Sequence, residues 1–153
     1  MEKRHKLQIL AFALVATCCI PFQGLMAQNG IGYPEKDVVQ VAEIMPVLET
    51  CASIDDRTER ETCSNTGIME HIIANLDYPE LAREKNIEGT VYVEFVVNQK
   101  GYVSSVEIVR GPSLLQKAAL TVVQSLPGFK PGTNQGKPVN VQYVLPIRFA
   151  LGE

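Results

Sequence analysis

TVYVEFVVNQKGYVSSVEIVR, residues 90–110, decides the fold. Within residues 90–98, Val91, Val93, Phe95 and Val97 alternate with Tyr92, Glu94 and Val96, the period-two pattern of a strand with one face on a core. Asn98-Gln99-Lys100-Gly101 comes next, and its glycine supplies the positive φ that a tight hairpin turn requires. Residues 102–110 return as a second strand whose alternation slips at Ser104-Ser105, the mark of a β-bulge. An antiparallel hairpin is expected here.

Downstream, Gly111-Pro112 ends the hairpin, and Ser113 with Gln116 reads as a capping box. Leu114, Leu115, Ala118, Ala119, Val122, Val123 and Leu126 then form one apolar helical face, stopped by Pro127-Gly128. A Gly/Pro-rich loop over residues 129–138 leads into the last strand. There Val139, Val141, Tyr143, Leu145, Ile147, Phe149 and Leu151 share one face, with Asn140, Gln142, Pro146 and Arg148 on the other. Proline cannot donate to a ladder, so this strand is expected at a sheet edge, or leaving the sheet near Pro146.

Upstream, Ile68, Met69, Ile72, Ile73 and Leu76 fall at helical spacing. Pro79 suits the first position of a second, short helix, ELAREK, closed by Asn86 and Gly89. The fold class expected is α+β in two layers: a three-stranded antiparallel sheet of order 2-1-3 with two helices on one face.

The chain has 153 residues, 46% of them hydrophobic and 20% charged, with mean hydropathy +0.04 and a formal charge of −3. That describes one ordinary globular domain with a short appendage and excludes disordered, collagen-like and multi-span membrane chains. The 14 Lys and Arg against 17 Asp and Glu leave no basic excess for nucleic acid.

The N-terminus carries Lys3, Arg4 and Lys6, then an apolar run over residues 7–22 that contains Pro21. This reads as a secretory signal peptide, residues 1–27, cut after Ala27. The alternatives are an uncleaved membrane anchor and acylation at Cys18 or Cys19. Residues 28–67 form an acidic lead-in, where three basic residues face eight acidic ones. Residues 68–153, with eight of each sign, carry the periodic segments and the core.

Cys51 and Cys63 are the only cysteines after Ala27, and an even pair in an exported chain reads as a disulfide. The competing reading, a metal site with His71 and Glu70, lacks the close ligand spacing zinc favours. His71 is expected on the solvated side of its helix. No nucleophile motif, phosphate loop or paired carboxylate is present, so neither an enzyme nor a cofactor is expected. An unprotected edge on the last strand suits capture of an extended peptide by strand addition. The alternative is an edge capped by residues 38–44 of the lead-in folding back.

The ordered matches in YPELAREKNIEGTVYVEFVVNQKGYVSSVEIVRG and LQKAALTVVQSLPGFKPGTNQGKPVNVQYVLPIRF resemble the C-terminal domain of the TonB family. The Cys-containing lead-in resembles the stretch before this domain in Bacteroidota TonB-like proteins. The resemblance implies a periplasmic domain that binds the TonB box, an extended peptide of outer-membrane transporters, as an added strand in TonB-dependent transport. It implies peptide-binding roles for Tyr78, Pro79, Val139, Asn140, Val141, Gln142, Tyr143, Val144, Leu145 and Arg148. ExbB and ExbD would be partners only of an N-terminus anchored in the inner membrane. Two copies pairing through their last strands, a homodimer, form the remaining reading.

Overall fold

The computed structural model describes residues 37–152. The signal peptide, its cleavage and its anchor and acylation alternatives lie outside them. In chain order the elements are β1 (Val38–Val39), β2 (Val47–Leu48), a 3-10 turn (Glu49–Cys51), α1 (Arg57–Asn75), α2 (Glu80–Glu84), β3 (Gly89–Val97), β4 (Val103–Arg110), α3 (Ser113–Gln124), β5 (Phe129–Lys130), β6 (Thr133–Asn134), β7 (Lys137–Pro138) and β8 (Asn140–Phe149).

The main sheet has the order β1-β8-β3-β4. Four strands stand where three were expected, because the lead-in adds β1 parallel to β8 at Val38↔Asn140 and Val39↔Val141. β3 pairs antiparallel with β8 along its whole length, from Gly89↔Phe149 to Val97↔Val141. On its other side β3 pairs with β4, and the register breaks between Glu94↔Glu107 and Val96↔Ser104. Ser105 takes a left-handed φ of 48° there, a bulge at the Ser104-Ser105 slip. Gly101 has φ 82°, and a Cβ on it would lie 1.8 Å from the Phe129 carbonyl oxygen. No larger residue fits that turn.

Val91, Val93, Phe95 and Val97 of β3 are buried together with Leu115, Ala119, Val122 and Val123 of α3, Ile72 of α1, and Ile147 and Phe149 of β8. Each such side chain contributes roughly 1.5–3 kcal/mol on burial. α3 begins at Ser113 with Pro112 as its cap residue, so the expected capping box does not form. Gln116 instead donates its Nε2 to the Gly111 carbonyl at 2.9 Å.

Among the described residues there are three α-helices, and α1 starts eleven residues before the expected one, so the boundary drawn between residues 67 and 68 falls inside it. The Asp56 carboxylate accepts from the Glu59 N–H at 2.8 Å and caps its first turn. The polar first half carried no apolar period because it packs on the lead-in rather than on the sheet. Buried Ser64 accepts from the Leu48 N–H at 2.9 Å, and Leu48 Cδ1 would lie 2.6 Å from a Cβ at Gly67. A mid-helix glycine opens that seat. Cys51 and Cys63 form a disulfide with their Cα atoms 6.0 Å apart. β2 pairs with β5, and Ile44 exchanges backbone bonds with Thr133, so the expected loop over residues 129–138 holds three short strands.

Candidate functional site

Hydrogen-bond parity decides what β8 offers to a partner. Asn98 donates its N–H to the Tyr102 carbonyl at 2.9 Å across the hairpin. In an antiparallel pair the backbone groups of successive residues point to opposite sides, so even-numbered residues of β3 face β4 and odd-numbered ones face β8. The two register breaks of β3 with β4, between Tyr92 and Val93 and between Glu94 and Val96, each insert an extra residue on β4, and the β3–β8 register is unbroken and pairs odd with odd. The odd residues of β8 therefore bond β3. Gln142, Val144, Pro146 and Arg148 turn their backbone groups away from the sheet.

Pro146 sits at a position whose missing N–H costs the ladder nothing, which is why a proline is accommodated within a ten-residue strand. β1 covers the start of this edge at Asn140 and Val141. From Val144 onward no other strand among the described residues pairs with it. The edge is thus both capped and open: the lead-in closes its first residues and leaves the rest.

The structure groups Tyr143, Val144, Leu145 and Arg148 along the open part. Val139, just before β8, donates its N–H to the Gly132 carbonyl at 2.9 Å. Buried Asn140 accepts from the Gln99 N–H through Oδ1 at 3.0 Å. Tyr78 and Pro79 lie at the far end of the strand. The Tyr78 ring meets Phe149 edge to face at 5.6 Å and its hydroxyl donates to the Ile87 carbonyl at 2.7 Å. Desolvation, then Glu88, hold its phenol above the usual range, with Arg83 opposing.

Beside the open edge runs an apolar groove of about 260 Å³ between β8 and α1. Phe95 and the strand segment from Tyr143 to Pro146 form its floor and rim, and Asn65, Ile68 and Met69 of α1 form its outer wall. Tyr143 stacks on Phe95 at 5.4 Å and donates to the Pro46 carbonyl at 3.2 Å. Burial, then Glu61, push its phenol up to about 12.

The α1 wall was not among the residues expected from the sequence. A signal was present: Ile68, Met69, Ile72, Ile73 and Leu76 are more apolar surface than one face buries. Ile72 is buried, while Met69 and Ile73 are 52% and 74% exposed. His71 is half-buried, with Nε2 3.0 Å from the Ser125 hydroxyl rather than fully solvated. Among the described residues no three metal-ligating side chains cluster and no helix is long and apolar enough to cross a membrane.

No curated protein matches the chain. Among solved structures, two NMR solution structures of the Helicobacter pylori TonB C-terminal domain are similar at 28% and 29% identity. They cover 58% of this chain and 81% and 95% of their own, with TM-scores of 0.47 and 0.45. The Pseudomonas aeruginosa TonB C-terminal domain matches at 22% identity over 50% of this chain and 79% of its own, with a TM-score of 0.42. The family model described as the Gram-negative bacterial TonB protein C-terminal matches residues 74–151, from the last two residues of α1 through β8. The chain belongs to the TonB C-terminal domain family.

Proposed function

We propose that this protein is an exported, periplasmic domain that takes the TonB-box peptide of outer-membrane transporters as an added strand on β8, in TonB-dependent transport. One observation carries the reading. Backbone donors and acceptors at Val144 and Arg148, and the carbonyl of Pro146, point away from the sheet at strand spacing with no described strand against them. A row of such groups on a strand edge is a template for another chain, and an extended peptide satisfies them in ladder geometry. Membership of the TonB C-terminal domain family supports the partner class.

Titration of a labelled N-terminal peptide from an outer-membrane transporter of the same cell, followed by anisotropy and sedimentation, tests it. Binding by a monomer, competed by unlabelled peptide, supports strand capture. A stable dimer that ignores the peptide favours the structural reading, in which two copies pair through the same edge.

Whether force passes through the chain depends on residues 1–27. The intact mass of protein isolated from its cell envelope decides that part. A chain starting at Gln28 is a soluble binder or adaptor. One retaining Met1 is an anchored transducer with ExbB and ExbD as the partners to seek.

A further inference from the structure

α1 lies almost wholly before the matched family region, which begins at residue 74, and yet it walls one side of the groove at the open edge. We propose that α1, through Met69 with Ile68 and Asn65, is the specificity wall of the docking channel. It selects extended peptides that carry aliphatic side chains at the two positions opposite Tyr143 and Leu145. This rests on the strand-addition reading and deepens it.

Side chains of paired residues on neighbouring strands lie on the same face of the sheet. A strand docked on β8 forms backbone bonds at Val144, whose side chain is on the sheet face away from the helices. Its residues opposite Tyr143 and Leu145 then point to the helix side, where those two side chains line the groove. Two positions spaced by two residues therefore enter the groove whichever way the peptide runs.

The backbone wall names the occupant. A lipid chain or an amphipathic helix would fill apolar space and leave the Val144 N–H and carbonyl without partners. An extended chain satisfies both and fills the groove at once. The size agrees, because about 260 Å³ falls below the ~300–1,000 Å³ of sites for drug-sized ligands and suits side chains. The wall is apolar where it counts: Met69 lines the groove at 52% exposure, and Ile73 continues its exposed face one turn on. Methionine adapts its shape to different aliphatic groups. A charged peptide side chain here would be desolvated against Phe95, Ile68 and Met69 without a partner.

The experiment uses three eight-residue probe peptides, Thr-X-Thr-X-Thr-X-Thr-X with X as Val, Ala or Asp, titrated into the full chain and into Met69→Lys, Met69→Leu and Val144→Pro. Met69 is half-exposed, so Met69→Lys leaves the fold intact, checked by circular dichroism and melting. The wild type is expected to bind the Val peptide at least tenfold tighter than the Ala peptide and the Asp peptide more weakly still. Met69→Lys should shrink the Val-over-Ala preference to within about twofold, and Met69→Leu should keep it. Val144→Pro should weaken every peptide that binds.

If Val144→Pro abolishes binding and Met69→Lys keeps the full preference, α1 is not the selecting wall although strand addition stands. If Val144→Pro leaves binding unchanged, or no probe binds, strand addition itself is wrong and the selection proposal goes with it.

Discussion

The Tyr143 hydroxyl donates to the Pro46 carbonyl at 3.2 Å, fastening the lead-in to the strand that carries the open edge. With its folded pKa raised to about 12 from 10, Tyr143 favours the protonated phenol in the native state. Its contribution is fully present below pH 10 and is lost as pH rises through 10 towards 12, by roughly 3 kcal/mol. Tyr143→Phe is expected to cost about 1 kcal/mol at pH 7 through the lost hydrogen bond and to flatten the alkaline decline. Denaturant melts at pH 7, 9 and 11 of both proteins check this.

Neighbouring residues on β8 should respond to proline in opposite ways. Leu145 bonds to Val93 on β3, so Leu145→Pro removes a donor inside the ladder and is expected to cost at least ~2 kcal/mol. Val144 shares the outward parity of Pro146. Val144→Pro should therefore melt within a few degrees of the wild type while losing peptide affinity by tenfold or more. Equal destabilisation of the two variants in thermal melts would count against the assigned parity.

Gly101 sits at φ 82° with its Cα against the Phe129 carbonyl, whose residue also donates its N–H to the Gly101 oxygen at 2.8 Å. Gly101→Ala must move the β5 backbone, and a loss above about 2 kcal/mol is expected. Urea unfolding measures it. The hairpin and the lead-in contacts through β2–β5 should weaken together, visible as faster amide exchange at Leu48 and Phe129.

The disulfide closes a short loop that seats Leu48 and Cys51 in the core against α1. Reduction should add two mass units and lower stability by roughly 3 kcal/mol. Native protein should resist alkylation at both sulfurs. Because β1 reaches the edge through this lead-in, the reduced protein is also expected to lose protection at the outward-facing amides of Asn140 and Gln142 in hydrogen exchange before the β3–β8 ladder opens.

Local rules carried the parts of the fold made by near neighbours. The β3–β4 hairpin, its Gly101 turn, the Ser104-Ser105 bulge, the α3 face and the alternation of β8 were legible because one face of each element is apolar and turn positions demand particular residues. Arg57 to Gly67 was not legible as helix, since its partners, Leu48 and Cys51, come from another part of the chain and impose no 3.6-residue period. Likewise Val38-Val39 reads as strand-like, but no sequence pattern states that only two residues pair, in parallel, with Asn140 and Val141.

The candidate site divides in the same way. Pro146 announced an edge from its chemistry alone, and Val144 and Arg148 lie on that edge because parity follows from an unbroken register. The wall formed by Asn65, Ile68 and Met69 required the tertiary structure. Which of five apolar residues on α1 enter the core is decided by how the helix is rotated against β8, and that rotation is set by Gly67, Ser64 and the Cys51–Cys63 bond to the lead-in. Sequence alone determined the three long strands, the turn and the family, because those depend on neighbouring residues. Only the packing of distant segments decided how much of the edge stays open and what lies beside it.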